Sequence, residues 1–136
     1  MQLRKEVQAI IYNRFGKETR VLLVKKLDLK NYTYRWRLLK GGIEDGETEI
    51  DALKREVFEE VGLRDIVVEN KFTDYEFDFD GTLHQVASYI VKIMTNVPMK
   101  IQTDEIIDAQ WVPVDQALSL LYWKDEKEGI RKIQSL

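Results

Sequence analysis

The segment that most constrains the fold runs from Gly41 to Leu63, where a glycine-containing stretch leads into a helix crowded with carboxylates. With about 3.6 residues per helical turn, Glu56, Glu59 and Glu60 project together within an arc of roughly 100°. Like charges this close destabilise a helix by about 0.2–0.5 kcal/mol per pair. A divalent cation over them would reverse that effect, whereas the simpler alternative is an acidic face that only contacts water.

The remaining features of this helix are also marked in the sequence. Four aliphatic residues fall within roughly 80° of one another on the helical wheel and predict the face that packs on a core. They are Ile50, Leu53, Val57 and Val61. Thr48 is placed to cap the amino end of the helix, and Gly62 is placed to end it. We therefore expect one face to pack and another to carry chemistry.

The stretch before the helix contains Gly41, Gly42 and Gly46. Glycine allows positive φ and a close approach of the main chain to a ligand, so we expect a loop there. Oxygen ligands with open positions for water and phosphate suit Mg²⁺, with Mn²⁺ as a substitute. The sequence contains no cysteine, which excludes thiolate ligands. The segment therefore predicts a magnesium site for phosphates.

The complete spacing of the segment resembles the signature of the Nudix hydrolases, G-x5-E-x7-R-E-U-x-E-E-x-G-U, where U is aliphatic and x is any residue. The pattern begins at Gly41 and ends at Leu63, and every defined position matches. The resemblance implies an α/β fold over essentially the whole chain. The implied fold is a Nudix-type α/β/α sandwich with a mixed sheet and a catalytic loop–helix–loop.

The resemblance also implies roles for individual residues of the signature. Glu59 and Glu60 would bind divalent ions, and Glu56 would be either a further ligand or the base that activates water. Glu47 would lie close to the metal, as a further carboxylate or behind the ligands. Arg55 would hold a glutamate in place through a charge-assisted hydrogen bond and would not touch substrate.

The entry to the signature departs from the family pattern. Relatives often have proline where this chain has Leu39, so a rigid φ is lost and we expect a looser entry loop. By resemblance, the main-chain carbonyl of Lys40 is a further metal ligand, and its ammonium group can face a phosphate. Arg35 and Arg37 are candidate substrate contacts, with solvated strand charges as the alternative.

Two further candidate sites lie near the carboxyl end. Relatives commonly place a catalytic or metal-binding glutamate in a loop like the one at Asp104 and Glu105, and we prefer Glu105. An exposed acid without a role is the alternative. Tyr122 and Trp123, between the two last predicted helices, form a candidate surface for stacking a nucleobase.

A hairpin is predicted at Asp80-Gly81, because this dipeptide favours a two-residue turn. The expected cross-strand pairs are Phe79 with Thr82, Phe77 with His84, and Tyr75 with Val86. This register places three aromatic rings and His84, the single histidine of the sequence, on one face. The rings either stack a nucleobase beside a histidine that approaches phosphate, or they cover the core.

The rest of the sequence predicts a single Nudix-type domain, residues 1–136, of strands and helices. The expected strands are Glu6–Tyr12, Val21–Lys26, Ile66–Val68, Phe72–Phe79, Leu83–Met94 and Ala109–Val112. The expected helices run from Pro113 through Leu121 and from Lys124 to Ser135, the latter interrupted by Gly129. The continuous apolar run from Val21 to Val24 predicts a strand that is buried on both faces.

Composition limits the class of protein. Of 136 residues, 44% are hydrophobic, which is enough for one ordinary core. The sequence has no apolar run of about 18 residues and no signal-peptide pattern, so we expect no membrane span and a cytoplasmic location. The net charge of −3 gives no broad basic surface, so extended nucleic acid is not an expected partner. No pattern predicts the oligomeric state.

The function that the resemblance implies is metal-dependent hydrolysis of a pyrophosphate bond in a nucleoside diphosphate linked to another moiety. Mg²⁺ would neutralise phosphate charge and activate water, and Glu56 or Glu105 would take the proton. The chain length, the hairpin and the W-V-P-V-D-Q-A-L-S-L-L segment are most similar to diadenosine polyphosphate hydrolases. The alternatives are nucleoside triphosphates, including oxidised ones, RNA 5′ ends, and a non-catalytic nucleotide sensor, although a sensor would be expected to lose the signature glutamates.

Overall fold

The computed structural model describes residues 2–94 and 98–136. In chain order its elements are β1 (Gln2–Phe15), β2 (Glu18–Asp28), β3 (Thr33–Arg37), β4 (Leu39–Gly42), α1 (Glu49–Val61), β5 (Ile66–Phe79), β6 (Thr82–Ile93), β7 (Ile106–Pro113), α2 (Val114–Leu120) and α3 (Lys124–Gln134). Within the described residues the strands form a seven-stranded mixed sheet. Strand β1 runs parallel to β6 and antiparallel to β2 and β4.

Strand β1 changes partner along one of its edges. Strand β6 pairs along one edge of β1. The opposite edge of β1 pairs first with β4 and then with β2. Strand β4 pairs with Glu6–Ala9, and β2 pairs with Tyr12–Phe15. Strand β2 then continues away from β1 and pairs with β3 and β7. This change of partner brings the glycines of β4 beside helix α1, where the signature glutamates lie.

The sheet is covered by α1 on one face and by α2 and α3 on the other. Because side chains alternate along a strand, Leu22 and Val24 pack in the core under α1, whereas Val21 and Leu23 pack in the core under α2 and α3. The prediction that this strand is buried on both faces is therefore confirmed. The α/β/α sandwich with a mixed sheet is confirmed as well.

The predicted ends of helix α1 are confirmed. Thr48 accepts a hydrogen bond from the Asp51 main-chain N–H at 3.1 Å, and the Asp51 carboxylate accepts one in return. Gly62 ends the helix with a left-handed φ of 73°. Gly129 does not interrupt helix α3, which continues through it to Gln134. A Cβ at this position would lie 2.9 Å from the Ile10 side chain, so glycine allows the helix to pack closely on the sheet.

Three expectations about the chain path are wrong. The entry at Leu39 is not a loose loop, because this residue is 1% exposed, packs in the core under α1 and pairs with Ala9 in strand β4. Gly41 and Gly42 belong to the same strand, so of the three glycines only Gly46 has positive φ. The two strands predicted between residues 66 and 79 are one strand, β5, with irregular pairing between them.

The hairpin register is confirmed at every predicted pair: Phe79 with Thr82, Phe77 with His84, and Tyr75 with Val86. Asp80 and Gly81 both have positive φ, as a primed two-residue turn requires. None of the helices in the described ranges has the length and apolar composition that a bilayer span requires.

Candidate active site

A cleft of about 780 Å³ opens where β4, the carboxyl end of α1 and the β5–β6 hairpin meet. Ten of the predicted site residues line it: Arg37, Lys40, Glu56, Glu59, Glu60, Tyr75, Phe77, His84, Glu105 and Tyr122. Arg35, Glu47 and Arg55 do not line it. The fold therefore gathers most of the predicted residues, which are far apart in the sequence, around one cavity.

Arg55 lies behind the wall of the cleft and binds several groups of the signature. Its guanidinium donates two hydrogen bonds to Glu47, at 2.8 and 2.9 Å, and one each to Glu56 at 2.8 Å and Glu59 at 3.1 Å. It also donates to the Gly42 carbonyl at 2.8 Å. The guanidinium lowers the pKa of Glu47 to about 2, so this carboxylate stays ionised. Arg55 thus ties helix α1 to strand β4 and orients three carboxylates.

Glu60 is a buried carboxylate in the cleft wall, with 5% of its surface exposed. Its Oε1 accepts a hydrogen bond from the Lys26 ammonium at 2.7 Å. Its Oε2 is buried and has no hydrogen-bond partner among the described residues. Burial raises the pKa of Glu60, and the Lys26 charge opposes that shift. A buried oxygen without a donor is costly, and a bound cation would satisfy this atom.

Glu56 lies directly against strand β4. A Cβ at Gly41 would overlap the Glu56 carboxyl group, so glycine is required at that position for this packing. Burial raises the pKa of Glu56, against the effect of Arg55. A partly buried carboxyl with a raised pKa, held by one hydrogen bond, is a suitable proton acceptor.

The donor set fits a hard divalent cation that is completed by water and substrate. No three acidic or histidine side chains in the described ranges surround one point closely enough to hold an ion alone. Mg²⁺ usually keeps several waters and takes only one or two carboxylates, so such a cage is not required. Glu60 offers its unpartnered oxygen, and the mostly exposed Glu59 and Glu105 face the same cleft. Glu105 lines this cleft and Asp104 does not.

One wall of the cleft is aromatic and is held by polar contacts with the sheet. The Tyr75 hydroxyl donates to the buried Gln8 at 2.7 Å. Phe77 stacks on His84 with 4.5 Å between ring centroids, and the Lys40 ammonium lies 4.4 Å from the Phe77 centroid. Burial, with a smaller contribution from a neighbouring arginine, lowers the pKa of Lys40 to about 8. These rings are half-buried, so they pack on the sheet and also face the cavity.

The opposite side of the cleft carries Tyr122, whose surface is 56% exposed. The Arg35 guanidinium lies 3.8 Å from the Tyr122 ring centroid and donates to Asp28 at 3.0 Å. Trp123 meets Tyr122 edge-on at 5.1 Å, and Arg37 lies over Trp123 at 4.1 Å. Arg35 does not line the cleft and packs against Tyr122 from outside it, so its contact with substrate stays a prediction.

Lys26 and Glu126 are among the residues of the cleft lining that were not predicted from the sequence. Lys26 neutralises Glu60, and the buried Glu126 accepts hydrogen bonds from Arg37 at 3.0 Å and from the Leu38 main-chain N–H at 2.8 Å. Glu126 carries a readable signal, because it is an acid placed four residues before Ile130 on the apolar stripe of α3. Lys26 carries none, since a lysine at the end of a strand is ordinarily solvated.

Comparisons with known proteins show what this chain is similar to. Among curated proteins, an RNA pyrophosphohydrolase of Bartonella henselae is 36% identical over 90 residues, which cover 64% of this chain and 51% of that protein. An uncharacterized Nudix hydrolase of Pseudomonas aeruginosa is 27% identical over 129 residues, covering 90% of this chain and 72% of that protein. The chain thus spans about half the length of the first curated relatives that it matches.

Solved structures share the fold at low sequence identity. A C. elegans Ap4A hydrolase in a binary complex is 18% identical, with a TM-score of 0.84 over 97% of this chain and 96% of that one. The NUDIX domain of Shewanella oneidensis NrtR, complexed with ADP ribose, is 18% identical, with a TM-score of 0.80 over 99% and 88% of the two chains. The sequence model of the NUDIX domain matches residues 2–133. Because this match covers nearly the whole chain and the fold agrees with it, the chain belongs to the NUDIX domain family.

Proposed function

We propose that this chain hydrolyses a pyrophosphate bond in a nucleoside diphosphate linked to another moiety, with Mg²⁺ or Mn²⁺ as cofactor. The observation that carries the proposal is the unpartnered buried oxygen of Glu60, next to glutamates that Arg55 holds in place. The family membership and the names of the curated relatives support the same reaction. Glu60 and Glu59 would hold the metal, with the Lys40 main-chain carbonyl as a further candidate ligand.

The residues around these glutamates divide the remaining tasks. When bound, a divalent ion would supply charge neutralisation at the phosphates and activation of water. Glu56, or Glu105 on the facing loop, would accept the proton of the attacking water. The Lys40 ammonium and the Arg37 guanidinium line the cleft and would bind phosphate oxygens. Arg55 and Glu47 would act by keeping Glu56 and Glu59 in position.

The nucleoside would lie against Tyr122. One face of this ring is covered by the Arg35 guanidinium, and more than half of the residue remains exposed at the cleft. Stacking of a base on an aromatic ring contributes about 1–3 kcal/mol. Phe77 is already covered by His84 and approached by Lys40, so it is the weaker platform. His84 lines the same wall and would approach the phosphates.

A diadenosine polyphosphate is the substrate that we propose first, because the cleft combines cationic groups with aromatic groups on two walls. The fold also resembles that of an Ap4A hydrolase. The 5′ end of RNA is the second candidate, since curated relatives aligned with this chain are named RNA pyrophosphohydrolases. Both substrates contain a nucleoside with 5′ phosphates and at least one further nucleoside.

A substrate panel tests the proposal. Diadenosine tetraphosphate, 5′-triphosphorylated RNA, ADP-ribose and nucleoside triphosphates, ordinary and oxidised, are each incubated with Mg²⁺ and then with Mn²⁺, and released products are quantified. We expect the kcat/KM for diadenosine tetraphosphate to exceed the others by at least about tenfold, since good hydrolases discriminate by transition-state binding. Dominance of RNA would support the second candidate. No turnover of any member would contradict hydrolysis and favour the nucleotide sensor.

Replacing Tyr122 separates stacking from catalysis. Tyr122→Ala is expected to raise KM about tenfold with kcat within about twofold of the unchanged chain, because a ring that only stacks a base binds ground state and transition state alike. Tyr122→Phe keeps the ring and is the matched control, with an expected KM within about twofold. A large KM for both variants, or for neither, would contradict the assignment of the Tyr122 ring as the base platform.

A further inference from the structure

A second recess of about 510 Å³ adjoins the active-site cleft at the amino end of strand β1. We call it the distal recess; it is lined by Leu3, Arg4, Gly42, Phe79, Thr82 and His84, among others. Four of these residues, Arg4, Gly42, Phe79 and His84, also line the cleft. The two cavities therefore meet along a shared boundary, and one extended ligand can occupy both.

The strand register shows that the boundary is continuous. Arg4 lies beside His84 in the parallel pair β1–β6, and Phe77 lies opposite His84 in the hairpin. Thr82 lies opposite Phe79 in the same hairpin, two residues nearer the turn on each strand. Paired residues on neighbouring strands point to the same face of a sheet. The face that bears Phe77 in the cleft thus continues through His84 to Thr82 in the distal recess.

The boundary is held by a connected set of charged groups. The Glu6 carboxylate contacts the His84 Nδ1 at 2.6 Å and the Arg4 guanidinium at 3.4 Å. Arg4 also lies against Gly42, because a Cβ at that position would be 2.9 Å from the Arg4 Nη2. The Arg4 side chain is nevertheless more than half exposed, so its remaining donors face solvent and can bind an anion.

Beyond this cation the lining of the recess includes two exposed apolar side chains. Phe79 is 39% exposed and Leu3 is 55% exposed. Lys5 and Asp80 also border the recess, so the charge there is mixed. A guanidinium next to an exposed aromatic ring is the complement of a phosphate that carries a nucleoside. The volume of the recess falls in the range of sites for small ligands, about 300–1,000 Å³.

We infer that the distal recess binds a second nucleoside, joined through phosphate to the nucleoside at Tyr122. The inference rests on the proposed function and specifies its substrate class: molecules with two nucleosides. A dinucleoside polyphosphate and the first two nucleotides of an RNA 5′ end both present this chemistry. Phosphates between the nucleosides would pass Lys40 and reach Arg4, and the second base would lie against Phe79.

Filling the recess tests the inference by binding, with probes, the dinucleotide pppApA among them, whose bridging phosphate oxygens are replaced by methylene so that they resist hydrolysis. Thr82→Trp places a bulky ring in the recess at a half-buried strand position that does not line the cleft, and tryptophan is well tolerated in strands. Thr19→Trp is the matched control, because Thr19 pairs with Arg14 at the other end of β1. Calorimetric titration with Mg²⁺ would use a methylene-bridged diadenosine tetraphosphate and a methylene-bridged ATP, which resist hydrolysis. Thermal denaturation confirms that both variants are folded.

We expect Thr82→Trp to weaken binding of the diadenosine probe about tenfold and to leave the ATP probe within about twofold, because base stacking contributes about 1–3 kcal/mol. Thr19→Trp should change neither dissociation constant. The triphosphorylated dinucleotide pppApA represents the 5′ end of RNA. Weaker binding of either two-nucleoside probe by Thr82→Trp supports the inference, and the probe that is affected identifies the class of ligand. An equal effect on all probes, or none, would overturn it. If the unchanged chain bound no probe, the proposed function would fail as well. Equal affinity of the unchanged chain for one-nucleoside and two-nucleoside probes would overturn only the inference that the distal recess binds a second nucleoside.

Discussion

Glu60→Gln is expected to lower kcat about a thousandfold with Mg²⁺, a loss of about 4 kcal/mol of transition-state stabilisation. The substitution removes one negative charge and turns one of the two carboxylate oxygens into an amide nitrogen that cannot bind a cation. Glu60 is the strongest ligand candidate because its Oε2 is buried without a partner, whereas the Glu59 carboxylate already accepts a hydrogen bond from Arg55. The measurements are steady-state kinetics and a Mn²⁺ titration followed by electron paramagnetic resonance.

The control must show that this loss comes from the metal site and not from unfolding. Burial raises the pKa of Glu60, so its ionised form is disfavoured in the folded chain, and its contribution to stability falls as pH rises through that pKa. Neutral glutamine should therefore leave the midpoint of thermal unfolding unchanged or higher. Glu128→Gln, on an exposed glutamate paired with Arg131, is the matched variant with unchanged kcat. A Glu60→Gln protein with intact turnover and Mn²⁺ affinity would contradict the assignment.

The parts of the structure that sequence alone predicted are those governed by local rules. The ends of α1 follow from a side-chain cap at Thr48 and a left-handed glycine at Gly62, both of which need only neighbouring residues. The hairpin register follows from the turn at Asp80-Gly81, because a two-residue turn fixes the pairs next to it, from Phe79 with Thr82 to Thr73 with Ser88, where the irregular pairing begins. These rules were sufficient to predict which aromatic rings share a face with His84.

The parts that sequence did not predict depend on contacts between distant segments. Leu39 was expected to loosen the entry to the signature, but its side chain packs in the core and its backbone pairs with Ala9. The sequence also did not predict that the Arg35 guanidinium lies over the Tyr122 ring. Such partners lie far away in the chain, so no local pattern identifies them.

The same distinction applies to the glutamates of the signature. Their helical spacing placed Glu56, Glu59 and Glu60 on one side of α1, but it assigned them nearly equivalent environments. The fold separates them, because Glu60 is paired with Lys26, Glu56 packs on Gly41, and Glu59 stays mostly exposed. The resemblance implied ligand roles for Glu59 and Glu60 and a ligand or base role for Glu56, and tertiary packing adds the ranking of Glu60 ahead of Glu59.

Arg55→Lys is expected to lower kcat about a hundredfold, the second largest effect that we predict, although Arg55 does not line the cleft. The guanidinium donates simultaneously to Glu47, Glu56 and Glu59, and a lysine ammonium cannot reproduce this planar, multiply bonded arrangement. Without it, Glu56 and Glu59 would repel each other and lose their fixed orientation. The Mn²⁺ affinity of the free protein should fall together with kcat, because the carboxylates are no longer held in place.

Arg64→Lys is the matched control, since Arg64 follows the same helix, lies 3.9 Å over the Phe58 ring and does not line the cleft. This variant keeps the net charge and should show unchanged kcat and Mn²⁺ affinity. A positioning role for Arg55 predicts that KM for the nucleotide changes less than kcat, because the residues proposed to bind substrate, Tyr122, Arg37 and Lys40, would do so without Arg55. Arg55→Lys with kcat within about twofold of the unchanged chain would contradict the view that this guanidinium organises the site. A rise in KM at constant kcat would instead assign Arg55 to substrate binding.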